Sequence, residues 1–446
     1  MASDMLSIAA SGARAARGAL DVTAQNIANA SSDGYVRRSL RIEEVSASGG
    51  AGRNGDISLS GARIAEINRN ADPFLQSEVR RTNGDLQRAN TELSGLSNIE
   101  SAIEQSGIFT SIVEFEASLQ QLAGDSSDPS RRAAVLAEAE TMASKFEITA
   151  AGLDSVGDGL RFDADAKVTE ANIIGGELAR VNLRLTRAGS GSSDRAALLD
   201  QRDQMLERLA GFSAVTTSFA SDGTVAVSLG SAPARSFVQG GASGVLSSTP
   251  GPDGTLSFAV DGQPTNPGSG RLAGATLALG TLAATRARLD TLANGLANTV
   301  NAAQAAGVGS DGSPGQPLFA GTTAATLRVV LASGQGIATA PAGAGAGSRD
   351  TQNLANLRQA LATGNPAQQL SSLLFDVSST VAGRNVTQSA LETIASSARI
   401  SLEQQSSVNL DTEATNLIRF QQAFQASGRA MQVASDIFDT LLGIGR

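Results

Sequence analysis

Large apolar residues stand at every seventh position near the end of the chain: Leu410, Leu417, Phe424, Met431 and Phe438. Four residues after each come Ala414, Gln421, Gly428, Ser435 and Leu442. Nothing else in the sequence restricts the fold as much. A seam of large residues alternating with mostly small ones, held for about four heptads, belongs to a helix that packs along its length against another. A straight helix drifts by about 20° per heptad, so strict seven-residue spacing also implies supercoiling around that partner. The other end of the chain carries a matching pattern. Leu6, Ala13, Leu20 and Ile27 repeat every seven residues, with Ala9, Ala16 and Thr23 between them. Either stripe alone could be an ordinary amphipathic helix on a globular core. Its presence at both ends favours a chain whose termini pair with each other.

Between the ends the pattern is nested. Asp4 to Ala30 reads as a helix with Ser3 or Asp4 as N-cap, closed by turn chemistry at Asn29 and Ser31-Ser32-Asp33-Gly34, where Gly34 is expected at positive φ. Partial alternation follows through Val36, Leu40 and Ile42, then Ile57, Leu59, Ile64 and Ile67, a small β excursion. Asp72-Pro73 opens a helix that steps by threes and fours to Ile103, a second spans about Phe109 to Leu122, and Asp128-Pro129 opens a third reaching at least Leu153. Helical spacing returns from Ala164 to Leu185, and Asp194 is expected to cap a helix ending near Leu209. Composition changes at Gly211: Val215 to Phe219 and Val225 to Leu229 alternate around Ser221-Asp222-Gly223, a hairpin, and a weaker hairpin surrounds Pro252-Asp253-Gly254. Helices return at about Leu272–Ala306, Asn353–Thr363 and Ala367–Ser406, interrupted by a Gly/Pro/Asp loop, a short strand at Thr326–Leu331 and a Gly/Ala-rich loop at Pro341–Gly347.

The expected fold is therefore mainly α and elongated. It has a terminal coiled-coil domain (1–34 and 407–446), a small β excursion (35–71), a long-helix bundle (72–210, 271–310 and 348–406) and a β-rich outer domain (211–270, with or without 311–347). At 446 residues the chain has room for several domains of about 100–200 residues. The Ala-rich stripe at the N-terminus offers little apolar surface against the entropy of ordering the chain, so both ends are expected to order only when neighbouring subunits cover them.

Composition removes whole classes of chemistry. There is no His and no Cys, which excludes His general bases, Cys nucleophiles, disulfides and nearly every zinc or copper site. Lys occurs only at positions 145 and 167, neither in a Walker-type phosphate loop. Net charge is -9 with no basic stripe to offset it, so nucleic acid is not an expected partner. No apolar run approaches the roughly 18 residues that span a bilayer, and Met1–Leu20 lacks the basic-then-apolar pattern of a cleaved secretory signal. No cofactor, metal or catalytic residue is expected, and membrane insertion is not.

Gly50-Ala-Gly-Arg-Asn-Gly55 and Gly307-Val-Gly-Ser-Asp-Gly312 match G-x-G-x-x-G by letter, but neither follows a strand and opens a helix, as dinucleotide binding requires. Asp311 lacks the further acidic residues of a calcium loop. Asp200, Asp203 and Glu207 lie at helical spacing among Arg195, Arg202 and Arg208, and read as a solvated or salt-bridged helix face.

Thr23-Ala-Gln-Asn-Ile-Ala-Asn29, followed by Gly34-Tyr35, resembles the N-terminal signature of bacterial flagellar rod, hook and hook-associated proteins. Within it the signature residues are Asn26, Ile27, Ala28, Asn29, Gly34 and Tyr35. Leu198-Leu-Asp-Gln-Arg-Asp-Gln204, Leu292–Asn301 with Gly312-Ser-Pro-Gly315 and Leu318-Phe319, Asp350–Leu354, and Val408–Leu417 with Phe420–Phe424 resemble, in order, segments of the hook-associated protein 1 (hook–filament junction) family. Two features depart from it. The His common before the glycine after the long helix is absent, Gln304 and its neighbours standing there, and the middle of the chain is short, so an outermost domain is expected to be reduced or missing.

The resemblance implies a structural subunit, not an enzyme. It would assemble as a homo-oligomeric ring between hook and filament, beside the hook protein and a second junction protein. Export would run through the flagellar type III apparatus without signal cleavage, with a cytoplasmic chaperone acting at the C-terminal region. The assembly interface would be Leu6, Ala13, Leu20, Ile27, Leu410, Leu417, Phe424, Met431, Phe438 and Leu442. Two alternatives stay open on the residues alone, a flagellin-like filament subunit and a secreted adhesin using the β module.

Overall fold

The computed structural model describes residues 2–44 and 61–444, with side chains described from residue 5 to residue 440 of these. Gly50–Gly55, Ile57 and Leu59, the caps at Ser3 and Asp4, and the Leu442 side chain lie outside what is described.

The fold is mainly α. The helices are α1 (Ala2–Ala28), α2 (Pro73–Glu104), α3 (Ile108–Gly124), α4 (Pro129–Leu185), α5 (Ser193–Ala210), α6 (Gly270–Ala305), α7 (Gln352–Gly364), α8 (Pro366–Ser406) and α9 (Leu410–Ile444). Helix starts follow local chemistry. The Asp72 carboxylate accepts from the Phe74 and Leu75 amides at 2.8 and 3.1 Å, with Pro73 in the first turn where its missing N–H costs nothing. Asp128 plays the same part for α4, accepting from the Ser130 amide at 2.8 Å. Two readings change. The helix expected from Asp128 and the one expected from Ala164 are a single helix of 57 residues: no proline breaks it, and Asp154, Ser155, Gly157, Asp158 and Gly159, which read as turn residues, are tolerated inside it. The cap of α5 is Ser192, whose side chain accepts from the Arg195 amide, while Asp194 sits in the first turn and complements the helix dipole.

One compact unit comprises Met1–Gly84, Glu170–Leu246 and Glu392–Arg446. In it α1 packs lengthwise on α9, and a hairpin of β1 (Arg38–Glu44) and β2 (Ala62–Arg69) lies on α1. The hairpin runs from Arg38 opposite Arg69 to Glu44 opposite Ala62, with a register shift at Arg41/Ile42. The same unit holds a four-stranded antiparallel sheet of β3 (Val215–Phe219), β4 (Val225–Leu229), β5 (Arg235–Gln239) and β6 (Ala242–Ser243). Val225, Val227 and Leu229 turn their alternate side chains into its core, as the sequence pattern requires.

The second unit comprises Asp85–Thr169 and Ser247–Leu391. Its core is built from heptad-like positions of the helices: Leu96, Ile99 and Ile103, then Ile112, Phe115 and Leu119, then Val135, Met142, Phe146 and Leu153 are all buried. Phe115 meets the Phe319 ring edge-on at 6.0 Å. The strands β7 (Leu246–Pro250), β8 (Leu256–Val260) and β9 (Gln263–Thr265) form a three-stranded sheet. The described residues also form two two-residue pairings: β10 (Gly307–Val308) with β13 (Ala340–Pro341), and β11 (Phe319–Ala320) with β12 (Arg328–Val329). Thus the strand expected at Thr326–Leu331 is present but short.

One device recurs at several places where a helix meets an extended segment. An asparagine on the helix offers its carboxamide to a backbone N–H and C=O, supplying one donor and one acceptor as a neighbouring strand would. Asn182 accepts from Val225 N and donates to the Val225 and Gly240 carbonyls. Asn172 holds both backbone groups of Leu246, and Asn301 those of Phe319. Gln304 uses its carboxamide in the same way, donating to the Gln316 and Gly336 carbonyls and accepting from the Ala338 amide. Unlike an imidazole, a carboxamide does not titrate, so this anchor holds at any pH.

Candidate functional site

The terminal pair runs antiparallel. Arg37, beyond the end of α1, meets Glu413 in the first turn of α9 at 2.7 Å, and Gly12 early in α1 lies against Ser427. A Cβ added at Gly12 would stand 3.1 Å from the Ser427 hydroxyl, so the absent side chain lets the helices approach closely.

The ten seam residues are unequally placed. Ala13 is buried, Leu20, Leu417 and Met431 are half-buried, and Leu6, Ile27, Leu410, Phe424 and Phe438 are exposed, Phe424 at 43% and Phe438 at 50%. Leu442 lies in α9 at a position whose side chain is not described. The companion column differs from expectation. Ala414, Gln421 and Ser435 face solvent, whereas Glu413 and Ala434 are the only fully buried residues among the described α9 side chains, with Phe420 and Ser427 half-buried between them. Glu413, Phe420, Ser427 and Ala434 also repeat every seven residues. A heptad's second column lies three residues after the first on one side and four on the other, and residue size alone pointed to the wrong side. The signal missed was Glu413, whose charge finds its partner in Arg37.

The signature residues form a clasp at the foot of α1. Asn26, 1% exposed, donates to the Arg38 carbonyl at 2.8 Å and accepts from the Arg38 amide at 3.0 Å and the Tyr35 hydroxyl at 2.9 Å. This is the carboxamide device again, here fixing the first residue of β1. Asn29 donates to the Gln25 carbonyl and closes the last turn of α1. Gly34 has φ 69°, as its turn requires, and a side chain there would strike Gln204, which donates to the Asp33 carbonyl. Ile27 and Ala28 are exposed. The Arg38 guanidinium lies 4.9 Å from the centre of the Tyr35 ring. Burial pushes the Tyr35 phenol above its ordinary pKa, with Arg38 opposing.

Beneath the clasp is a buried ion network. Asp200 takes Arg38 at 3.0 Å and Arg69 at 2.7 Å; Asp203 takes Arg69 at 2.9 Å and Arg202 at 2.6 Å. Gln76 donates to Asp203, and Arg202 donates to the Gly223 carbonyl and stacks over Phe219. The α5 face is thus salt-bridged and buried rather than solvated at Asp200 and Arg202, joining α1, the β1–β2 hairpin, α2 and the β3–β4 turn. Only its outer edge is wet, where Glu207 and Arg208 meet Arg399 and Glu170. Burial raises the Asp200 pKa against the pull of Arg69 and Arg38, and burial lowers that of Arg202. The arrangement can hold elements together, each of the two carboxylates being taken up by two guanidinium groups. Among the described residues no group of three or more Asp or Glu is placed to hold a metal ion, and no helix is long and apolar enough to cross a membrane.

The two ends place the chain in a class. Residues 6–35 match the family model "Flagella basal body rod protein", and residues 402–444 match "Flagellar basal body rod FlgEFG protein C-terminal". The first match falls on α1 with its clasp, and the second on the end of α8 and on α9. Residues 93–319, half of the chain, match "Flagellar hook-associated protein FlgK helical domain". The chain belongs to the flagellar hook-associated protein FlgK family. It is similar to Flagellar hook-associated protein 1 of Escherichia coli (strain K12), at 28% identity over 334 residues, covering 71% of this chain and 60% of the relative. The protein of the same name from Bacillus subtilis (strain 168) is 23% identical over an alignment covering 97% of this chain and 96% of the relative. Against the enterobacterial relatives the chain therefore spans about three fifths of their length. Among solved structures, the flagellar hook junction protein FlgK from Burkholderia pseudomallei is 26% identical, with a TM-score of 0.48 over 54% of this chain and 46% of that one.

Proposed function

We propose that the protein is a structural subunit of the flagellar hook–filament junction that assembles with copies of itself through α1 and α9. The observation that carries this reading is the apolar surface that α9 leaves uncovered. Pairing with α1 uses one side of the helix, yet Ile418, Val433 and Ile437 stand exposed on another side, and Leu410, Phe424 and Phe438 remain exposed along the seam edge. From residue spacing, Ile418, Val433 and Ile437 fall within about 100° of one another around the helix. A helix apolar on two sides needs two neighbours, and α1 is one. The second would be an adjoining copy, forming a ring, with the hook protein and a second junction protein at its two faces. The exported chain would meet a cytoplasmic chaperone at the same C-terminal surface before assembly, and its place of work would be the extracellular flagellum.

Phe424→Asp and Leu417→Asp test this. Each should leave the helical core folded by circular dichroism while abolishing incorporation into flagella and motility in a complementation assay. A variant that still builds a working junction would show that α9 is not the assembly surface.

A further inference from the structure

The α1–α9 pairing has a problem of register. On α1 the heptad pattern is carried by Ala9, Ala13, Ala16, Leu20 and Thr23, nearly featureless, with Gly12 beside it against Ser427. On α9 both columns repeat every seven residues, so sliding one helix by a heptad, about 10 Å, returns an apolar or small residue to almost every position. In one direction the slip sets Phe420 against Gly12, where no space exists for it. In the other it sets Ala434 against Gly12, a tolerable contact, and Phe420 against Arg37. Only one charged residue interrupts the described columns. Glu413 is 1% exposed and paired with Arg37, itself 23% exposed, at 2.7 Å. Arg37 is held on the α1 side: its neighbour Arg38 is fixed by Asn26, and its own carbonyl accepts from the Asn70 amide, just past β2, at 2.9 Å.

We propose that the Arg37–Glu413 pair is a register-determining contact that selects the native alignment of the two terminal helices over the alignment displaced by one heptad. A buried charge at one seam position is a known way to specify register, because every other alignment leaves it buried without its counter-charge. Here the slipped form would strip the buried Glu413 of its partner, and a ring beside Arg37 would not replace the lost counter-charge. The Asn26 clasp gives the mark its rigidity, since a partner that could follow the sliding helix would select nothing. This goes beyond the assembly reading and does not depend on it, because the alignment is set within one chain.

The native chain has no cysteine, which makes the test direct. An ideal Cβ at Gly12 lies 4.0 Å from the Ser427 Cβ, within the roughly 3.5–4.5 Å that a disulfide spans. A full-length triple variant, Gly12→Cys with Ser427→Cys and Ala434→Cys, lets Cys at position 12 choose between the native and slipped positions under mild oxidation. Mass spectrometry of the monomer fraction reads the ratio. With Glu413 present the 12–427 bond should dominate. Adding Glu413→Leu should raise the 12–434 share relative to 12–427 by at least about tenfold. Glu413→Gln, which keeps the shape, should give a smaller rise and serves if the leucine variant does not fold. Exchanging the charges, Arg37→Glu with Glu413→Arg, should restore the native bond. A ratio unchanged to within about twofold in both Glu413 variants would overturn the proposal, as would absence of the 12–427 bond in the parent. Dimers linked between chains separate by size and report on assembly instead, so the two readings fail independently.

Discussion

Asn26→Leu is the perturbation that isolates the clasp. Leucine keeps the branched four-atom outline of the asparagine side chain, so no cavity opens; the main loss is polar, and its bulkier methyl groups can only add to it. Three hydrogen bonds disappear, at 2.8, 3.0 and 2.9 Å, and two of the abandoned groups are the buried N–H and C=O of Arg38. Each buried backbone group left without a partner costs about 1–3 kcal/mol. The Tyr35 hydroxyl is only half-buried and can turn to water, so it adds little. The expected loss is therefore about 2–5 kcal/mol for the unit that contains the clasp. Asn29→Ala, which removes one half-buried hydrogen bond to the Gln25 carbonyl, is the matched control and should cost about 1 kcal/mol or less. The assay is supplied by the sequence. Tyr35 is the only tyrosine and there is no tryptophan, so tyrosine fluorescence during urea unfolding reports from the clasp itself. Asn26→Leu within about 1 kcal/mol of the parent would refute the claim that the carboxamide holds this corner together.

Other outcomes follow from the same geometry. Asp200→Ala leaves Arg38 and Arg69 facing each other without their shared counter-charge, and should destabilise by about 3–5 kcal/mol in the same urea assay. Tyr35 should ionise at higher pH in the folded chain than in the unfolded one. Because the folded pKa is raised, the associated stability is complete below the unfolded value of about 10 and is lost as pH rises through the folded one, which ultraviolet titration of the single phenol measures. Gln304→Leu should loosen the Gln316–Ala338 segment, seen as faster amide exchange at Ala338, since that amide's acceptor is removed.

Much of this molecule could be read from its residues. The caps at Asp72 and Asp128, the β3–β4 hairpin around Asp222-Gly223 and the positive φ at Gly34 are local effects, and local chemistry fixes them. The pairing of the two ends was legible because a heptad repeat needs a partner. What the residues did not show was which of two flanking columns turns inward on α9, since that depends on where Arg37 lies in space. The buried network was equally hidden. Asp200 and Asp203 look like any amphipathic helix's charged face until β1 and β2 bring Arg38 and Arg69 onto them from more than a hundred positions away. Asn26 was recognisable as a signature residue, but the reason for asparagine came only from the strand backbone it meets.

Hydrogen exchange across α9 in the free subunit and in assembled flagella tests the central claim most directly. With one side covered by α1 and another bare, amides from Thr415 to Thr440 should exchange far faster in the free chain than those of the buried α4 stretch from Val135 to Leu153, and should slow sharply on assembly. Protection of α9 in a confirmed monomer equal to that of α4, and unchanged by assembly, would contradict it.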